Sequence, residues 1–499
     1  MTPPGTQVVR VADCFTAVLE RDPGHEALVT RGGRWTYAQL DELCARAARV
    51  WLDLGVRAGD RVAVGLPNEV DIIAAFHGAM RVGAVWVGVN QALAAPERAH
   101  LLEDSGASWF LTDDVVATDA PTTATATTVT LDEWRARVDA APPARDLPPV
   151  DPHAPAALAY TSGTTGRPKG AVHSQHNLLL PAAVVAASRG YGSDLRKGDN
   201  LPCTILNLMV LTTLLGAAAG GTSVLMDQSY AQGVAEWIAR EQVTVWNGPP
   251  ALLHSLVHAA DVDPGALRSL REVWSGGAAL PEALRSAFTE KFGVPVVGTY
   301  GLTEAPTIVS IDPVDGTFAA GASGQVLPHL DVHVAPNREL CLAPAASGPF
   351  ADRYRPPLGY WGQPEAGAEL LAGGVLHTGD LGFVDDGWLH VVDRLNLVIL
   401  RGGANVYPAE VERVVLAIEG VAGCAVLGIA DERLGERVVA AVELDPGAAL
   451  TAEDLTEQCR RELARYKVPE QFRFAAALPR NSMAKVDRAA VRAWFAEEA

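Results

Sequence analysis

The sequence predicts an α/β fold with a large N-terminal domain of α/β subdomains and a small α+β domain at the C-terminus. In the first third of the chain, stretches that are apolar at helical spacing alternate with short apolar runs, a pattern typical of βα units and parallel sheets. From Arg394 onward the pattern changes to short strands mixed with helices. The chain has 499 residues, and one hydrophobic core rarely organises more than about 250–300 residues. We therefore expect two domains, at residues 1–393 and 394–499.

In the larger domain, helices and strands are expected to alternate along the chain. Helices are predicted over residues 36–54 and 70–82, and from the N-cap Ser174 to Arg189. Strands are predicted over residues 61–66, 84–89, 156–159, 171–173, 243–246, 272–275 and 294–299. Residues 113–149 show no clear period and are predicted to form an irregular surface segment between two subdomains.

The smaller domain is predicted to contain three helices and two strands. The helices are expected over residues 410–418, after Thr451 as N-cap with Asp454 completing the cap, and from Asp487 to the end of the chain. The strands are expected over residues 424–429 and 438–444.

Residues 201–226 contain no charged side chain, which raises the question of a membrane span. Prolines, glycines and polar residues interrupt the stretch, and Gly220 with Gly221 indicates a break between a buried helix and a buried strand. We therefore expect a protein without a membrane segment.

Charge and cysteine content restrict the partners and the compartment. The formal net charge of −19 argues against a nucleic-acid surface, which needs clustered Lys and Arg. The six cysteines are scattered, without a C-x-x-C pair or a histidine spacing that indicates zinc, and no apolar run follows basic residues at the N-terminus. Reduced thiols and the absence of a leader favour a cytoplasmic protein.

The segment 160–170 is a candidate polyphosphate-binding loop. It holds four aliphatic hydroxyls, three glycines and two cations without an acid. Glycine lets backbone N–H groups approach phosphate oxygens, hydroxyls donate further hydrogen bonds, and Lys169 or Arg167 offsets the charge. A plain turn has a similar composition, so this alternative stays open. The usual P-loop spacing fails, because Pro168 lies five residues after Gly163.

Four further segments carry chemistry at loop-like positions. Residues 299–304 offer an aromatic ring, hydroxyls and a carboxylate, and residues 377–382 place an acid between glycines, which suits a ribose diol. Residues 393–394 precede the glycine-containing segment 401–410, and a lysine lies in the segment 481–488. Each segment alone is more often a turn or a solvated loop, and it is their joint occurrence in this order that indicates function.

Together with the glycine loop, these segments resemble the superfamily of adenylate-forming enzymes, which includes acyl-CoA synthetases, adenylation domains of nonribosomal peptide synthetases and firefly luciferases. The resemblance runs from Trp35-Thr36-Tyr37 to Lys485. It implies that the small C-terminal domain is a mobile lid. It also implies ATP-dependent formation of an acyl-adenylate with release of pyrophosphate, and then thioesterification to CoA.

The resemblance assigns a role to individual residues. Glu304 would hold Mg²⁺, Tyr300 would stack on adenine, Asp380 would accept from both ribose hydroxyls, and Arg394 would bind the same sugar. The ATP site it implies consists of Thr161, Ser162, Gly163, Thr164, Thr165, Lys169, Gly277, Ala278, Thr299, Tyr300, Gly301, Thr303, Asp380 and Arg394.

Lys485, Thr303 and Glu304 are the catalytic candidates. Adenylation brings a carboxylate towards an α-phosphate, and Lys485 would neutralise the charge that grows between these two anions. Such electrostatic stabilisation is worth roughly 3 kcal/mol.

The hinge departs from the family pattern. Most members place a Lys or Asp two positions after the arginine, followed by another polar residue, whereas Asn396 and Leu397 stand here. In the second lid position, Gly402 and Gly403 would face the pantetheine thiol. The thioester step is therefore expected to be slow or absent, unless this pair rotates freely because a hinge needs only accessible φ/ψ values. An enzyme that passes acyl-AMP to a separate CoA ligase or carrier protein is the alternative.

The acid pocket departs as well. Many acyl-CoA synthetases show an aromatic residue followed by His where Ile205 and Leu206 stand here, and the amine-binding Asp of amino-acid-activating relatives has no counterpart in the uncharged stretch. An unpaired ammonium would cost on the order of several kcal/mol in such a pocket. We expect a hydrophobic acid, bulky or cyclic acids included. The pocket candidates are Asn207, Asn247 and Gly276, with Trp246, Asn247 and Trp274 as wall residues that core packing would explain equally well.

Two other functions are weaker. A luciferase-like oxygenation depends on a special substrate, and nothing in the sequence supports it. A non-catalytic binding protein would predict a damaged ATP site, whereas Lys169, Glu304, Asp380, Arg394 and Lys485 are all present. No nucleic acid, lipid or membrane partner is indicated.

Overall fold

The computed structural model describes residues 10–113, 126–161, 168–277, 280–401, 404–431, 433–481 and 485–496. Within these ranges the chain forms a mixed α/β structure with three sheets. Two of them belong to the large N-terminal part, and the third lies in the small C-terminal part, as the sequence predicts.

The first sheet contains six of the described strands, and all neighbours are parallel except the last two. Parallel order follows from the predicted βα alternation, because a parallel neighbour requires a crossover, usually a helix. In spatial order the strands are Thr127–Thr130, Trp109–Thr112, Arg61–Gly65, Val85–Gly88, Pro155–Thr161 and Lys169–Ser174. The last two form an antiparallel hairpin, and its connection is the glycine loop.

The second sheet contains thirteen of the described strands, which are parallel in the central part, antiparallel over several strands towards one end, and antiparallel in the last pair at the other end. In spatial order they are Leu330–Val334, Glu339–Pro344, Leu376–Asp385, Trp388–Arg394, Gln325–Val326, Thr307–Ile311, Val296–Leu302, Glu272–Gly276, Val245–Asn247, Arg196–Asp199, Thr222–Leu225, Glu26–Val29 and Arg34–Thr36. The antiparallel strands follow the sequence 299–304, which therefore sits where the sheet changes from parallel to antiparallel.

The third sheet belongs to the C-terminal part. Its strands are Ala404–Val406, Ile399–Arg401, Gly435–Leu444 and Val421–Asp431 in spatial order, with Gln471–Ala475 paired to Gly435–Leu444. Separate apolar clusters cover its two faces, one around Val411 and Leu455 and the other around Val491 and Phe495. This small domain therefore has a core of its own.

The helices carry the caps that the sequence predicts. Thr36 and Thr451 form capping boxes with the residues three positions later, and the Ser174 hydroxyl accepts from Asn177 N. The α-helices are Thr16–Arg21, Tyr37–Asp53, Val70–Val82, Ala95–Ser105, Leu131–Ala140, Gln175–Ser188, Leu206–Met209, Leu215–Ala219, Ala231–Glu241, Pro250–His258, Glu282–Phe292, Pro364–Leu370, Pro408–Leu416, Ala452–Glu462 and Arg488–Ala496. A π-helical segment, Val210–Leu214, joins two of them.

One sequence prediction is wrong and one is incomplete. Residues 113–149 are not irregular throughout, since they contain the strand Thr127–Thr130 and the helix Leu131–Ala140. The helix is amphipathic but short, and its apolar side is reduced to Trp134 and Val138, which explains why no period is visible. The strand Arg196–Asp199 was not predicted, because its residues are mostly charged although Lys197 and Asp199 are buried.

The uncharged stretch 201–226 is interrupted as predicted. The helix Leu215–Ala219 ends at Gly220, whose φ of +71° is strained for other residues, and the buried strand Thr222–Leu225 follows. Over the part of the chain that the structure describes, no helix combines the length and apolar character that crossing a bilayer requires.

Candidate functional site

Asp380 lies at the centre of a group of polar contacts. Its carboxylate accepts a hydrogen bond of 2.6 Å from the Tyr300 hydroxyl and an ion-pair contact of 3.1 Å from Nε of Arg394. Asp380 and Arg394 are directly opposite on the antiparallel strands Leu376–Asp385 and Trp388–Arg394. Burial raises the pKa of Asp380, and Arg394 and Tyr300 oppose that shift. The register brings Arg394 to Asp380, and the Tyr300 hydroxyl meets the same carboxylate from another strand. Three residues that the resemblance assigns to one nucleoside therefore lie together.

A bulge presents Asp380 from its strand. The pairing between Glu339–Pro344 and Leu376–Asp385 shifts register at this point, and Gly379 adopts a φ of +68°, which a side chain would strain. The Gly379 N–H donates 3.0 Å to Oε1 of Glu339, and the Thr378 hydroxyl donates 2.7 Å to the Leu340 carbonyl. These contacts help to fix the direction of the Asp380 carboxylate, because they hold the two residues immediately before it.

Glu304 lies in the turn between the strands Val296–Leu302 and Thr307–Ile311. The Tyr360 hydroxyl donates 2.8 Å to Oε1 of Glu304. The preceding carbonyl, that of Thr303, lies 2.9 Å from Nε2 of His173, a buried ring on the strand that follows the glycine loop. The turn is therefore attached to both sheets.

The base of the glycine loop is well defined. Thr161 and Lys169 are directly paired across the hairpin, and the ammonium of Lys169 lies 5.3 Å from the centre of the Tyr360 ring. Tyr360 therefore contacts Lys169 through its ring and Glu304 through its hydroxyl. Four loop residues of the predicted ATP site lie outside the described residues: Ser162, Gly163, Thr164 and Thr165.

Lys485 reaches this group from the small domain. Its Cε lies 3.8 Å from the position that a Cβ on Gly277 would take. Burial is the main cause that lowers the pKa of Lys485, Arg394 lowers it further, and Asp380 and Glu304 oppose the shift. Although the residue as a whole is exposed, its ammonium end is desolvated enough to sense both carboxylates, which suits it to meet a further anion. Ala278, also assigned to the adenine site, lies outside the described residues.

The strand Glu272–Gly276 ends beside Thr299. A Cβ on Gly276 would overlap the Thr299 side chain, so glycine allows these two strand ends to approach. The Thr299 hydroxyl donates 3.3 Å to the Ser275 carbonyl. In the next strand pair, Gly301 lies so close to the Thr307 carbonyl that a Cβ would overlap it. The predicted residues Gly276, Thr299 and Gly301 thus lie together at the ends of two neighbouring strands.

The predicted pocket amides have different environments. Asn247 is buried and its Nδ2 donates to Oδ2 of Asp199, which also accepts 3.1 Å from the Thr212 hydroxyl. The other oxygen of Asp199 accepts 3.0 Å from Leu201 N. Oδ1 of Asn207 is buried and has no hydrogen-bond partner among the described residues.

Asp199 is a buried carboxylate that the sequence reasoning missed, since it lies just before the uncharged stretch. Lys197, also buried, is 3.6 Å away. Burial lowers the pKa of Lys197, and Asp199 opposes the shift. Because Asp199 is fully buried and already has the buried Lys197 as its cationic partner, it does not offer a free charge for a substrate ammonium.

The two tryptophan candidates have core contacts. Trp246 is fully buried and its indole N–H donates 3.0 Å to Asn200, and Trp274 is 2% exposed within the apolar core. Core packing accounts for Trp246. The indole nitrogen of Trp274 has no hydrogen-bond partner within the described ranges.

The predicted hinge forms a short 3-10 turn, Leu395–Leu397, directly after Arg394. Leu397 is half-buried. The side chain of Asn396, and Gly402 and Gly403 of the lid, lie outside the described residues.

Two residues of this site were not found from the sequence. Tyr360 follows Gly359 in a segment without a strong period, and it joins the edge of the first sheet through backbone bonds to residues 170–172. His173 was placed on a strand but given no role. Only the three-dimensional arrangement connects either residue with the turn of Thr303 and Glu304.

Comparison with known families supports this arrangement. Residues 15–348 match the family model described as AMP-binding enzyme, and residues 410–485 match the model described as AMP-binding enzyme C-terminal domain.

Individual proteins are similar over nearly the whole chain. A long-chain-fatty-acid–CoA ligase of Mycobacterium tuberculosis is 34% identical, with 92% of this chain and 93% of the relative covered. A feruloyl-CoA synthase of an Amycolatopsis species is 36% identical, with 94% and 96% covered. Among solved structures, ATP-bound MatB of Rhodopseudomonas palustris has a TM-score of 0.87 at 27% identity, with 97% of this chain and 99% of that chain covered.

Proposed function

Because the chain belongs to the AMP-binding enzyme family, as an acid–thiol ligase of the acyl-CoA synthetase type, we propose that it activates a hydrophobic carboxylic acid with ATP and transfers it to CoA. In the first step, a carboxylate oxygen attacks the α-phosphorus, the bond to the β-phosphate oxygen breaks, and pyrophosphate leaves. In the second step, the CoA thiolate attacks the acyl carbon and AMP leaves.

In the adenylation step, Asp380 and Arg394 hold the ribose, Tyr300 covers the adenine, and Lys169 with the glycine loop binds the β- and γ-phosphates. Lys485 contacts the carboxylate and the α-phosphate together. This assignment is supported by the convergence of Asp380, Glu304 and Lys485, which come from three separate segments. A positive charge placed between two anions stabilises the transition state more than the separated reactants.

Glu304 is the residue we assign to Mg²⁺. A carboxylate suits this ion, because it is a hard oxygen ligand. The Tyr360 hydroxyl binds Oε1 of Glu304, so we assign the other oxygen, Oε2, to the ion. Mg²⁺ supplies charge neutralisation on the phosphate oxygens. The protein itself holds Glu304 in place. Tyr360 binds its carboxylate, and the contact between His173 and the Thr303 carbonyl holds the preceding residue.

The acid is hydrophobic, with bulky and cyclic acids included. Asp199, the buried carboxylate that binds the pocket candidate Asn247, is already paired with Lys197 and Thr212 as well. An α-ammonium would therefore enter without a partner, at a cost on the order of several kcal/mol. The relatives named for long-chain fatty acids and for feruloyl-CoA are consistent with acids of this kind.

The observation that carries the proposal is the position of Lys485 against Gly277 and the two carboxylates. The test is to incubate the enzyme with ATP, Mg²⁺ and a panel of fatty, aryl and polycyclic acids, with amino acids as a comparison set. We expect acid-dependent pyrophosphate release for hydrophobic acids. Absence of both pyrophosphate release and acyl-AMP over the whole panel would contradict the proposal.

A second candidate is an enzyme that stops at acyl-AMP and passes it to a separate CoA ligase or carrier protein. It is favoured by the uncharged hinge residues Asn396 and Leu397, at the boundary we place between residues 1–393 and 394–499. The same incubation with and without CoA separates the two candidates. Acyl-CoA formation supports the first, and acyl-AMP that accumulates despite CoA supports the second.

A further inference from the structure

Three metal-ligating side chains meet between the strand Glu339–Pro344 and the strand Leu376–Asp385, which carries Asp380. Sγ of Cys341 lies 3.5 Å from Nδ1 of His377, and this nitrogen lies 3.0 Å from Oε2 of Glu339. All three ligand atoms lie within 4.8 Å of one another. Zn–S and Zn–N bonds of about 2.3 and 2.0 Å at a tetrahedral angle place the sulfur and nitrogen roughly 3.5 Å apart.

The two strands bring these side chains to one face of the sheet. Cys341 and His377 are directly opposite on neighbouring strands, and Glu339 lies two residues before Cys341. Side chains opposite one another, or two positions apart, project from the same face of a sheet. Cys341 and Glu339 are nearly buried, while the His377 side chain is 29% exposed. The cluster is therefore rigid on one side and accessible on the other.

The imidazole of His377 is oriented for a cation. Its Nε2 lies 3.2 Å from the Ala372 carbonyl, which only accepts. A neutral ring that donates from Nε2 presents the Nδ1 lone pair to Glu339 and Cys341. Metal-bound histidines commonly donate their second nitrogen to a carbonyl in this way. A cation among Nδ1, Oε2 and Sγ would satisfy all three atoms.

A fourth ligand is within reach on the next strand. His333 is opposite Cys341 on the other side, so both project from the same face. Its side chain is exposed and would have to turn towards the three ligand atoms to complete the set. Cys, Glu and two His make a complete tetrahedral donor set for Zn²⁺.

We propose that Glu339, Cys341 and His377, completed by His333, bind one divalent cation of the Zn²⁺ type. The Cys341 thiol releases its proton to solvent as the metal–sulfur bond forms, so thiolate and carboxylate together balance the charge of the ion. The other oxygen of Glu339 keeps its bond to Gly379 N, and the metal therefore stiffens the bulge that presents Asp380. The site is distinct from the Mg²⁺ assigned to Glu304.

The direct test is Co²⁺ titration of the full chain, purified without a polyhistidine tag and freed of metal by a chelator. Tetrahedral Co²⁺ bound to a thiolate gives visible d–d bands and a sulfur-to-metal charge-transfer band. We expect one equivalent of Co²⁺ to produce both bands and one equivalent of Zn²⁺ to displace them. The Tm of the Zn²⁺-loaded chain should rise, because a ligand that binds only the folded state stabilises it.

Variants identify the ligands. Cys341→Ser should remove the charge-transfer band, and His333→Ala, a surface change, should weaken the apparent Kd for Zn²⁺ by about tenfold or more, since loss of an outer partner alone costs about 10- to 100-fold. Cys424→Ser and His153→Ala are matched controls in other parts of the chain and should leave titration unchanged.

Two results would overturn the site. One is a wild-type chain that gives no charge-transfer band at saturating Co²⁺. The other is a band that persists in Cys341→Ser. Both readouts are independent of ligase activity, so a failed metal site leaves the proposed function untouched, and an inactive ligase leaves the metal site testable.

Discussion

The Tyr360 hydroxyl donates a 2.8 Å hydrogen bond to Oε1 of Glu304, while the ring of the same tyrosine lies under the ammonium of Lys169. One side chain therefore joins the base of the glycine loop to the carboxylate we assign to Mg²⁺. Burial is the main cause that raises the pKa of Tyr360, with Glu304 adding to it, so the hydroxyl stays protonated and remains a donor at every working pH.

Tyr360→Phe should slow adenylation by about tenfold, the equivalent of roughly 1.4 kcal/mol in the barrier. Glu304 would lose the bond that orients it, while the ring under Lys169 is kept. We expect the KM for MgATP to rise more than kcat falls, measured by acid-dependent pyrophosphate exchange over a range of Mg²⁺. Tyr354→Phe is the matched control, because the buried Tyr354 hydroxyl has no hydrogen-bond partner among the described residues. Equal effects of the two variants would argue against an orienting role.

Lys485→Ala should lower acid-dependent pyrophosphate exchange by about 100-fold or more, since the electrostatic stabilisation it supplies is worth roughly 3 kcal/mol. ATP should still bind, because Asp380 and Arg394 remain in place. Exchange and calorimetric ATP binding measured on the same preparation distinguish these two effects. Lys467→Ala, which breaks an ion pair with Glu410 in the same domain, is the control and should keep the exchange rate. An unchanged rate in Lys485→Ala would remove the lysine from the mechanism.

The alkaline side of the pH profile should report on Lys485. Its pKa is lowered from 10.5, mainly by burial and then by Arg394. The charged form is the active one, so adenylation should fall as pH rises through this lowered pKa, earlier than for a lysine whose pKa is not lowered. Lys485→Arg keeps the charge to far higher pH, because guanidinium does not lose its proton in proteins. This variant should be slower at neutral pH but should lose the alkaline decline; the same decline in both enzymes would assign it to another group.

Sequence patterns predicted those helices and strands whose stability depends on residues close to one another in the chain. The helix Val70–Val82 and the cap at Thr451 followed from apolar spacing and hydrogen-bonding side chains close to the helix start. The strand Arg196–Asp199 could not be predicted in this way, because buried Lys197 and Asp199 compensate each other, and the bond from Asn247 to Asp199 depends on a strand almost fifty residues away.

The residues of the candidate site fall into the same two groups: those that motifs predicted and those that only the fold brings together. Asp380 and Arg394 were proposed from motifs, and their cross-strand contact agrees with a shared role. Tyr360 and His173 were missed, since each acts through a partner more than fifty residues away. The grouping of Cys341 with His377 was hidden for a similar reason, because 36 residues separate two side chains that only the strand pairing makes neighbours.

The last prediction concerns the hinge. In the described arrangement Lys485 lies against Gly277. We assign this position of the small domain to adenylation and expect the thioester step to require rotation about residues 395–397. Asn396→Pro fixes φ near −65° and restricts the preceding residue. We therefore expect it to keep pyrophosphate exchange within about twofold, while the rate at which CoA consumes preformed acyl-AMP falls by about tenfold or more, a barrier increase of roughly 1.4 kcal/mol.

Asn396→Ala is the control for this variant, since it removes the side chain but leaves the backbone free, and both half-reactions should stay near wild type. Asn396→Asp supplies the charged residue that the sequence lacks at this position and should accelerate only the CoA-dependent step. Single-turnover measurement of acyl-AMP decay with and without CoA separates the half-reactions. If Asn396→Pro slowed both to the same extent, the pivot would not lie in this turn, and if it slowed neither, the lid would rotate elsewhere or the CoA step would need no rotation at all.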